Sequence, residues 1–363
     1  MANDLRWGIF GCGPASHEFV QAMRFCENPN IIKAVGAANT SGRVQDFIYR
    51  EELSKDVKAC DTFEGLLKDP DVDIIYIAVD SSAHCDLVCR AAEAGKHVLC
   101  EKPMGVSCEE IQKMKQSAKQ HDTFLMESHS ACFYPAWRAL NRSLASKEFG
   151  DVRIISAHIG ANNTAQNGHS EAPRDPLFDI GIYPILFALS ACNYERPTAI
   201  DIIGSKNEGS ANITLEFNDG AQKAYLVYTT DAGTPNGAYV SLDNGIYQIP
   251  EWFWRPCRLV KIHGAPQVGK PQAESLHFPL RNPLGMHMDE NDDVKDQNGS
   301  HFVADHAYEC IKAGRQESPI MPLENSVRIR EAENSRKIQA DNSNQQNNLS
   351  PFDLRSAFDV LLS

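Results

Sequence analysis

Leu5-Arg-Trp-Gly-Ile-Phe-Gly-Cys-Gly-Pro-Ala-Ser16 reads as a short apolar strand, a glycine turn and the opening of an amphipathic helix that runs through Met23. An α/β sheet begins a dinucleotide site in this order. Gly11 allows the tight turn, and Gly13 lets main-chain N–H groups approach a pyrophosphate at the helix amino end. Pro14 and Ala15 open the helix. Ser16 stands where a third glycine is usual and is still small enough for the helix to lie close on its strand. A glycine turn alone is a weak signal, so the neighbouring segments decide the reading.

The next strand, Ile31 to Ala37, runs into Ala38-Asn39-Thr40-Ser41-Gly42-Arg43. An NAD site calls for an acid at that strand end to bind the ribose 2′-hydroxyl. None stands between Ile31 and Arg43. Asn39, Thr40, Ser41 and Arg43 instead offer amide, hydroxyl and guanidinium donors that suit a 2′-phosphate, so NADP is expected over NAD. An ordinary exposed helix arginine is the alternative for Arg43. Further apolar strands, Ile74 to Val79, Val98 to Cys100 and Thr123 to Met126, alternate with helical runs. That alternation predicts a doubly wound parallel sheet. Val79, His84 and Glu101 join the expected cofactor contacts.

His97-Val-Leu-Cys-Glu-Lys-Pro103 places Lys102 at the carboxyl end of a strand, facing the crevice where such sheets bind ligands. Pro103 permits a cis bond, and Ser107 is a helix cap. A solvated Glu-Lys pair on a surface turn is the competing reading of this motif alone. Later, Asp179 and Tyr183 of Leu177-Phe-Asp-Ile-Gly-Ile-Tyr183 share one helix face. A phenol, with an ordinary pKa of about 10, can pass a proton in hydride chemistry if a cation such as Lys102 stabilises its phenolate. In isolation the same residues read as a packing tyrosine and a capping aspartate.

At 363 residues with 42% apolar content, the chain is long enough for two domains. A net charge of −13 argues against nucleic-acid binding. No run approaches the roughly 20 apolar residues of a membrane span, and Met1 to Arg6 lack a signal-peptide core. Eleven scattered cysteines predict free thiols in a reducing, cytoplasmic compartment. No cysteine or histidine spacing suits a metal. The acidic stretch from Asp289 begins like a calcium loop, but Val294 and Ser300 stand where glycine and glutamate are required.

Beyond Gly150 the pattern turns to β-rich alternation: Val152 to Ile159, Ala199 to Gly204, Ser210 to Phe217, Ala221 to Thr229 and Ala238 to Ser241. Asn218-Asp-Gly220 supplies a hairpin turn. This predicts a large, mostly antiparallel sheet flanked by the Asp179 helix and a helix from His301 to Ala313. The expected division is a nucleotide-binding domain over 1–128, a substrate and dimerisation domain over 129–340, and a polar, disordered linker with a short tail over 341–363.

The glycine turn, Ala94-Gly-Lys-His-Val-Leu-Cys-Glu-Lys-Pro103, Phe124-Leu-Met-Glu127, Asp179-Ile-Gly-Ile-Tyr183 and His306-Ala-Tyr-Glu-Cys310 with Glu317-Ser-Pro-Ile-Met-Pro322 follow one another in an order that resembles the Gfo/Idh/MocA oxidoreductase family. The likeness runs over about residues 5–335, and the Lys102 and Tyr183 blocks are its specific parts. It implies a Rossmann domain joined to an open-faced sheet, a homodimer formed through that sheet, and hydride transfer from a sugar or cyclic diol to NADP. It also implies a catalytic Lys102–Tyr183 pair with Asp179 positioning the substrate. The branch most like this chain follows Phe-Leu-Met-Glu with a tryptophan and an arginine facing the substrate. Ser130 and Cys132 stand at those places, so a substrate smaller or differently polar than the ones that branch takes is expected. Trp252, Phe253 and Trp254 either refill the pocket or pack in the sheet. An NAD-dependent polyol dehydrogenase and a silent NADP(H)-binding sensor or scaffold are the rival readings. The intact Lys102–Asp179–Tyr183 set disfavours the silent one.

Overall fold

The computed structural model describes residues 4–38, 42–160, 175–204, 209–264, 272–279 and 299–346. Its first sheet is parallel and six-stranded, in the order β3-β2-β1-β4-β5-β6. The strands are β1 (Leu5–Phe10), β2 (Asn30–Gly36), β3 (Lys58–Cys60), β4 (Ile74–Ile77), β5 (His97–Glu101) and β6 (Leu125–Ser128). β1 and β4 are buried almost throughout, as a sheet covered on both faces requires, which is why they read as unbroken apolar runs. Helices α1 (Pro14–Met23), α2 (Arg43–Arg50), α3 (Phe63–Lys68), α4 (His84–Glu93) and α5 (Cys108–Gln120) connect them. Local chemistry sets two of the starts. Pro14 lies in the first turn of α1, where a missing N–H costs nothing, and the Ser107 hydroxyl accepts from Glu110 N at 3.3 Å to cap α5.

After α6 (Pro135–Ser146) the chain enters an eight-stranded sheet. Its strands are β7 (Val152–Gly160), β8 (Ala199–Ile203), β9 (Ser210–Phe217), β10 (Gln222–Thr229), β11 (Ala238–Leu242), β12 (Gly245–Ile249), β13 (Arg258–His263) and β14 (Gln272–His277). Only the β10–β7 pairing is parallel. The β9–β10 turn, Asn218–Gly220, takes positive φ at all three residues, a conformation that asparagine, aspartate and glycine tolerate best. One face packs Ile155, Ala157, Leu226, Tyr228 and Val240 against α7 (Ile182–Ala191), which is buried nearly all round. The other face leaves Ile154, Tyr225 and Tyr239 exposed.

The chain then returns to the first sheet through α8 (Ser300–Lys312) and α9 (Leu323–Gln346). Asp305 of α8 accepts from the main-chain N–H groups of Glu27 and Asn28 at 2.7 and 2.9 Å. Leu125 N, on the edge strand β6, donates to Gln316 O at 2.9 Å. Residues 341–346, read from composition as the start of a disordered linker, continue α9 instead. Extending a helix that tertiary packing has already nucleated costs far less than starting one. The calcium-like stretch from Asp289 to Gln297, the tail over 347–363, and Asn39, Thr40 and Ser41 lie outside the described residues.

Candidate active site

The strand order of the first sheet reverses direction between β1 and β4, which opens a crevice at their carboxyl ends. Gly11 sits there with φ +116°, and a Cβ on it would meet the Ala78 carbonyl oxygen at 2.2 Å, so no other residue fits. Gly13 precedes α1, and nothing lies within 4 Å of where its Cβ would stand. That open cradle at a helix amino end fits a pyrophosphate held by the N–H groups of Pro14's successors, beginning with Ala15. Ser16 is fully buried, as close helix–strand packing demands. Arg43 opens α2 and is exposed, and its charge acts on the thiol of Cys12 in the glycine turn.

Two side chains tie this turn to the Lys102 loop. Tyr76, stacked on Phe19 at 4.0 Å, donates to Glu101 Oε1 at 2.7 Å and lies 3.5 Å from Ala15 O. Burial, then the Glu101 charge, hold the Tyr76 hydroxyl well above its ordinary pKa, so it stays a donor. His84 is buried, with Nε2 3.1 Å from the Val79 carbonyl and Nδ1 3.2 Å from that of Pro103. Its ring is spent on main chain and does not open to the crevice. Val79 is half-buried beside Gly11.

Lys102 follows β5, and its bond to Pro103 is cis. Its Nζ lies 2.9 Å from Asp179 O, 3.4 Å from Asp179 Oδ1 and 5.2 Å from the centre of the Tyr183 ring. Burial works against the ammonium, but Tyr183, Asp179 and Glu101 outweigh it and hold the Lys102 pKa above that of an ordinary lysine. The three residues singled out from sequence therefore meet at one point.

Asp179 lies in a single π-helical turn, Leu177–Gly181, rather than a plain α-helix. Such a turn is wider than an α-helix, and Pro184, just beyond it, has no N–H to donate. The Lys102 ammonium donates to the Asp179 carbonyl. Trp254 stands 6.2 Å from Tyr183, centre to centre, and Trp252 packs edge-on to Trp254 at 5.2 Å. Phe253 between them is buried in the core, so one of the three aromatics packs and two form a wall.

Cys132 corrects the expectation for the substrate pocket. It is buried in a short helical turn with Sγ 3.6 Å from Tyr194 Oη, and burial pushes its pKa up to about 12. It lines a cavity of about 910 Å³ that neither Lys102 nor Tyr183 borders. The thiol packs there as a small apolar group, apart from the Lys102–Tyr183 pair. Ser130, at the start of the turn, is half-buried.

Sequence reasoning missed a buried polar group behind Lys102. Glu127 Oε1 accepts from Met104 N at 2.8 Å and lies 3.2 Å from His129 Nε2. Burial opposes its charge, but His129, Ser326 and the Met104 N–H hold its pKa below the usual range. Arg330 and Glu333 of α9 pair at 3.1 Å, both buried, and burial pushes Glu333 up to about 8. One turn apart in a charged stretch, the two residues look like a solvated ion pair, and no local signal shows that α9 is buried there.

Residues 5–129 match an oxidoreductase family described by its NAD-binding Rossmann fold. The chain is 30% identical to the bovine trans-1,2-dihydrobenzene-1,2-diol dehydrogenase over 88% of its length and 92% of that protein's. The human protein of the same name is 30% identical over 89% and 92%. Among solved structures, levoglucosan dehydrogenase in complex with NADH and levoglucosan superposes with a TM-score of 0.74 at 16% identity, covering 92% of this chain and 96% of that one. A 3-ketoreductase from Actinomadura kijaniata, in complex with TDP-benzene and NADP, gives 0.68 at 20% identity over 90% and 95%.

Proposed function

The chain belongs to the Gfo/Idh/MocA oxidoreductase family, and on that footing we propose that it is an NADP-dependent dehydrogenase acting on a ring hydroxyl of a sugar or cyclic diol. The observation that carries this reading is the meeting of the Lys102 ammonium with Asp179 and the Tyr183 ring beside the crevice of the glycine turn. Tyr183 accepts the hydroxyl proton of the substrate. Lys102 stabilises the phenolate and the oxygen that carries developing charge, and Asp179 orients the substrate. Gly11, Gly13, Pro14 and Ala15 form the pyrophosphate cradle, with Val79 and Glu101 at its mouth and His84 bracing the two loops. Arg43, with Asn39, Thr40 and Ser41, recognises the 2′-phosphate. The nicotinamide, when bound, supplies the hydride acceptor.

Trp254 offers a flat apolar wall beside Tyr183. Such a wall suits the C–H face of a sugar ring, and with Ser130 where the related branch carries an aromatic residue, an aldopyranose such as D-xylose is the favoured substrate over an aromatic dihydrodiol. Steady-state assays with both compounds, with NADP and with NAD, test the reading. NADP is expected to exceed NAD in kcat/KM by tenfold or more, and Arg43→Ala to erode the preference. A charge-assisted contact contributes about 1.5–3 kcal/mol, enough for that ratio. Equal kcat/KM for the two cofactors would remove the assignment of the 39–43 segment. No reduced cofactor with any ring hydroxyl would favour a silent nucleotide binder.

The outer face of the second sheet is the proposed dimer contact. Tyr225 and Tyr239 flank Ser156 from the neighbouring strands β10 and β11, and Ile154 lies two residues along β7. All three side chains are exposed, which is unusual for adjacent large apolar groups unless something covers them. Light scattering is expected to give twice the chain mass for the wild type and the chain mass for Tyr225→Asp/Tyr239→Asp. A monomeric wild type at micromolar concentration rules the contact out.

A further inference from the structure

The loop after Lys102 is held by side chains from several elements. Glu127 of β6 accepts from Met104 N, His84 of α4 lies on the Pro103 and Met104 carbonyls, and Glu110 of α5 accepts from Val106 N at 2.9 Å. Arg330 of α9 differs from these because it also reaches the other half of the site. Its Nε donates to Val106 O at 3.1 Å and Nη2 donates to the same oxygen. Its guanidinium lies over the Phe178 ring, 4.4 Å from the centre. Phe178 is the residue before Asp179, in the same π-helical turn. Nη1 pairs with Glu333 Oε2 at 3.1 Å one helical turn on, which fixes the plane of the fork. The side chain is 6% exposed.

We propose that Arg330 is a positioning residue for the Lys102–Asp179–Tyr183 set, setting the Lys102 loop and the π-helical turn against each other from α9. The proposal rests on the dehydrogenase reading of that set. The physical case lies in the geometry of the group. A planar fork donates twice in its plane while presenting its face to a ring, so one side chain fixes both the distance and the tilt between two segments. Lysine has a single donating head and no face to stack. The Lys102 ammonium must reach both an Asp179 oxygen and the Tyr183 ring, and that reach depends on the separation Arg330 sets. A displacement of about 1 Å between reacting groups can lower a rate on the order of 100-fold.

The test compares Arg330→Met, Arg330→Lys and Lys102→Met as full-length proteins. The readouts are kcat and KM per nucleotide-binding site, the pH dependence of kcat, and the dissociation constant for NADPH by fluorescence titration. Arg330→Met is expected to lower kcat by about 10- to 100-fold, with NADPH binding little changed, and to move the alkaline rise of kcat to higher pH as the ammonium draws away from Tyr183. Arg330→Lys should recover part of the rate. A merely structural arginine would reduce the number of binding sites or the thermal midpoint and leave kcat per site and its pH profile at wild-type values. That result overturns the proposal. Should Arg330→Met fail to fold, Phe178→Leu removes the stacked face without stranding a charge, and unchanged kcat and pH profile there overturn it equally. Lys102→Met separates the two levels. If it keeps its rate, the reading of the site is wrong; if it loses its rate while the Arg330 variants do not, only the positioning role falls.

Discussion

Lys102→Met is expected to lower kcat by about 100- to 1,000-fold and to leave NADPH binding within a small factor. Removing one preorganised donor from a developing oxyanion has an effect of that size. Here the group lost is a full charge, held above its ordinary pKa by Tyr183, Asp179 and Glu101 despite its burial. Methionine keeps the length and the apolar stem, so the cis-proline loop retains its contacts through Met104 and Val106. The Asp179 side chain is 42% exposed, and water can satisfy the oxygens that the ammonium leaves. Fold and cofactor binding should therefore survive. Steady-state kinetics with a fluorescence titration of NADPH decide the matter, and a variant with most of its kcat would withdraw Lys102 from the chemistry.

Tyr183→Phe should lose about 100- to 10,000-fold in kcat, the range for removing a general acid or base. It should also lose the alkaline rise expected of the wild type. The sign follows from the direction of proton flow. Oxidation needs the base unprotonated, so the rate climbs as pH rises through the pKa of that group. Lys102 cannot be its source, because the raised pKa keeps its ammonium charged across the working range. Phenylalanine preserves the packing against Trp254, so a changed profile reports the hydroxyl alone. If the rise persists in the variant, another group is the base.

The parallel sheet and its glycine turn could be read from the chain because they depend on local patterns: apolar runs buried on both faces, and Gly11 at a position where no Cβ fits. Lys102, Asp179 and Tyr183 could be read because each sits in a dense, unusual block. The π-helical turn at Asp179 left only one trace, Pro184 inside a helical run, and its meaning depends on where Lys102 arrives. Cys132 shows the opposite limit, since position in a motif does not fix which way a short helical turn aims its side chains. Arg330 and Glu333 could not be recognised at all. Their burial is a property of where α9 packs, against α5, α7 and the edge strand β6, and charge periodicity along a helix is the same whether water or protein lies beside it.

That placement bears on how the protein is made. The bond from Arg330 to Val106 spans 224 positions, and the one from Asn28 to Asp305 spans 277. A ribosome that has released every strand of the nucleotide-binding sheet still has the entire second sheet to synthesise before the covering helices emerge. Contacts so distant in sequence are slow to form, because the chain between them must be ordered or tethered first. Until then the edge at β6, the apolar flank of α5 and the loop behind Lys102 stay open to other molecules. The half of the protein that is translated first is thus the half completed last, and its apolar surface and open strand edge are exposed to wrong partners throughout that interval.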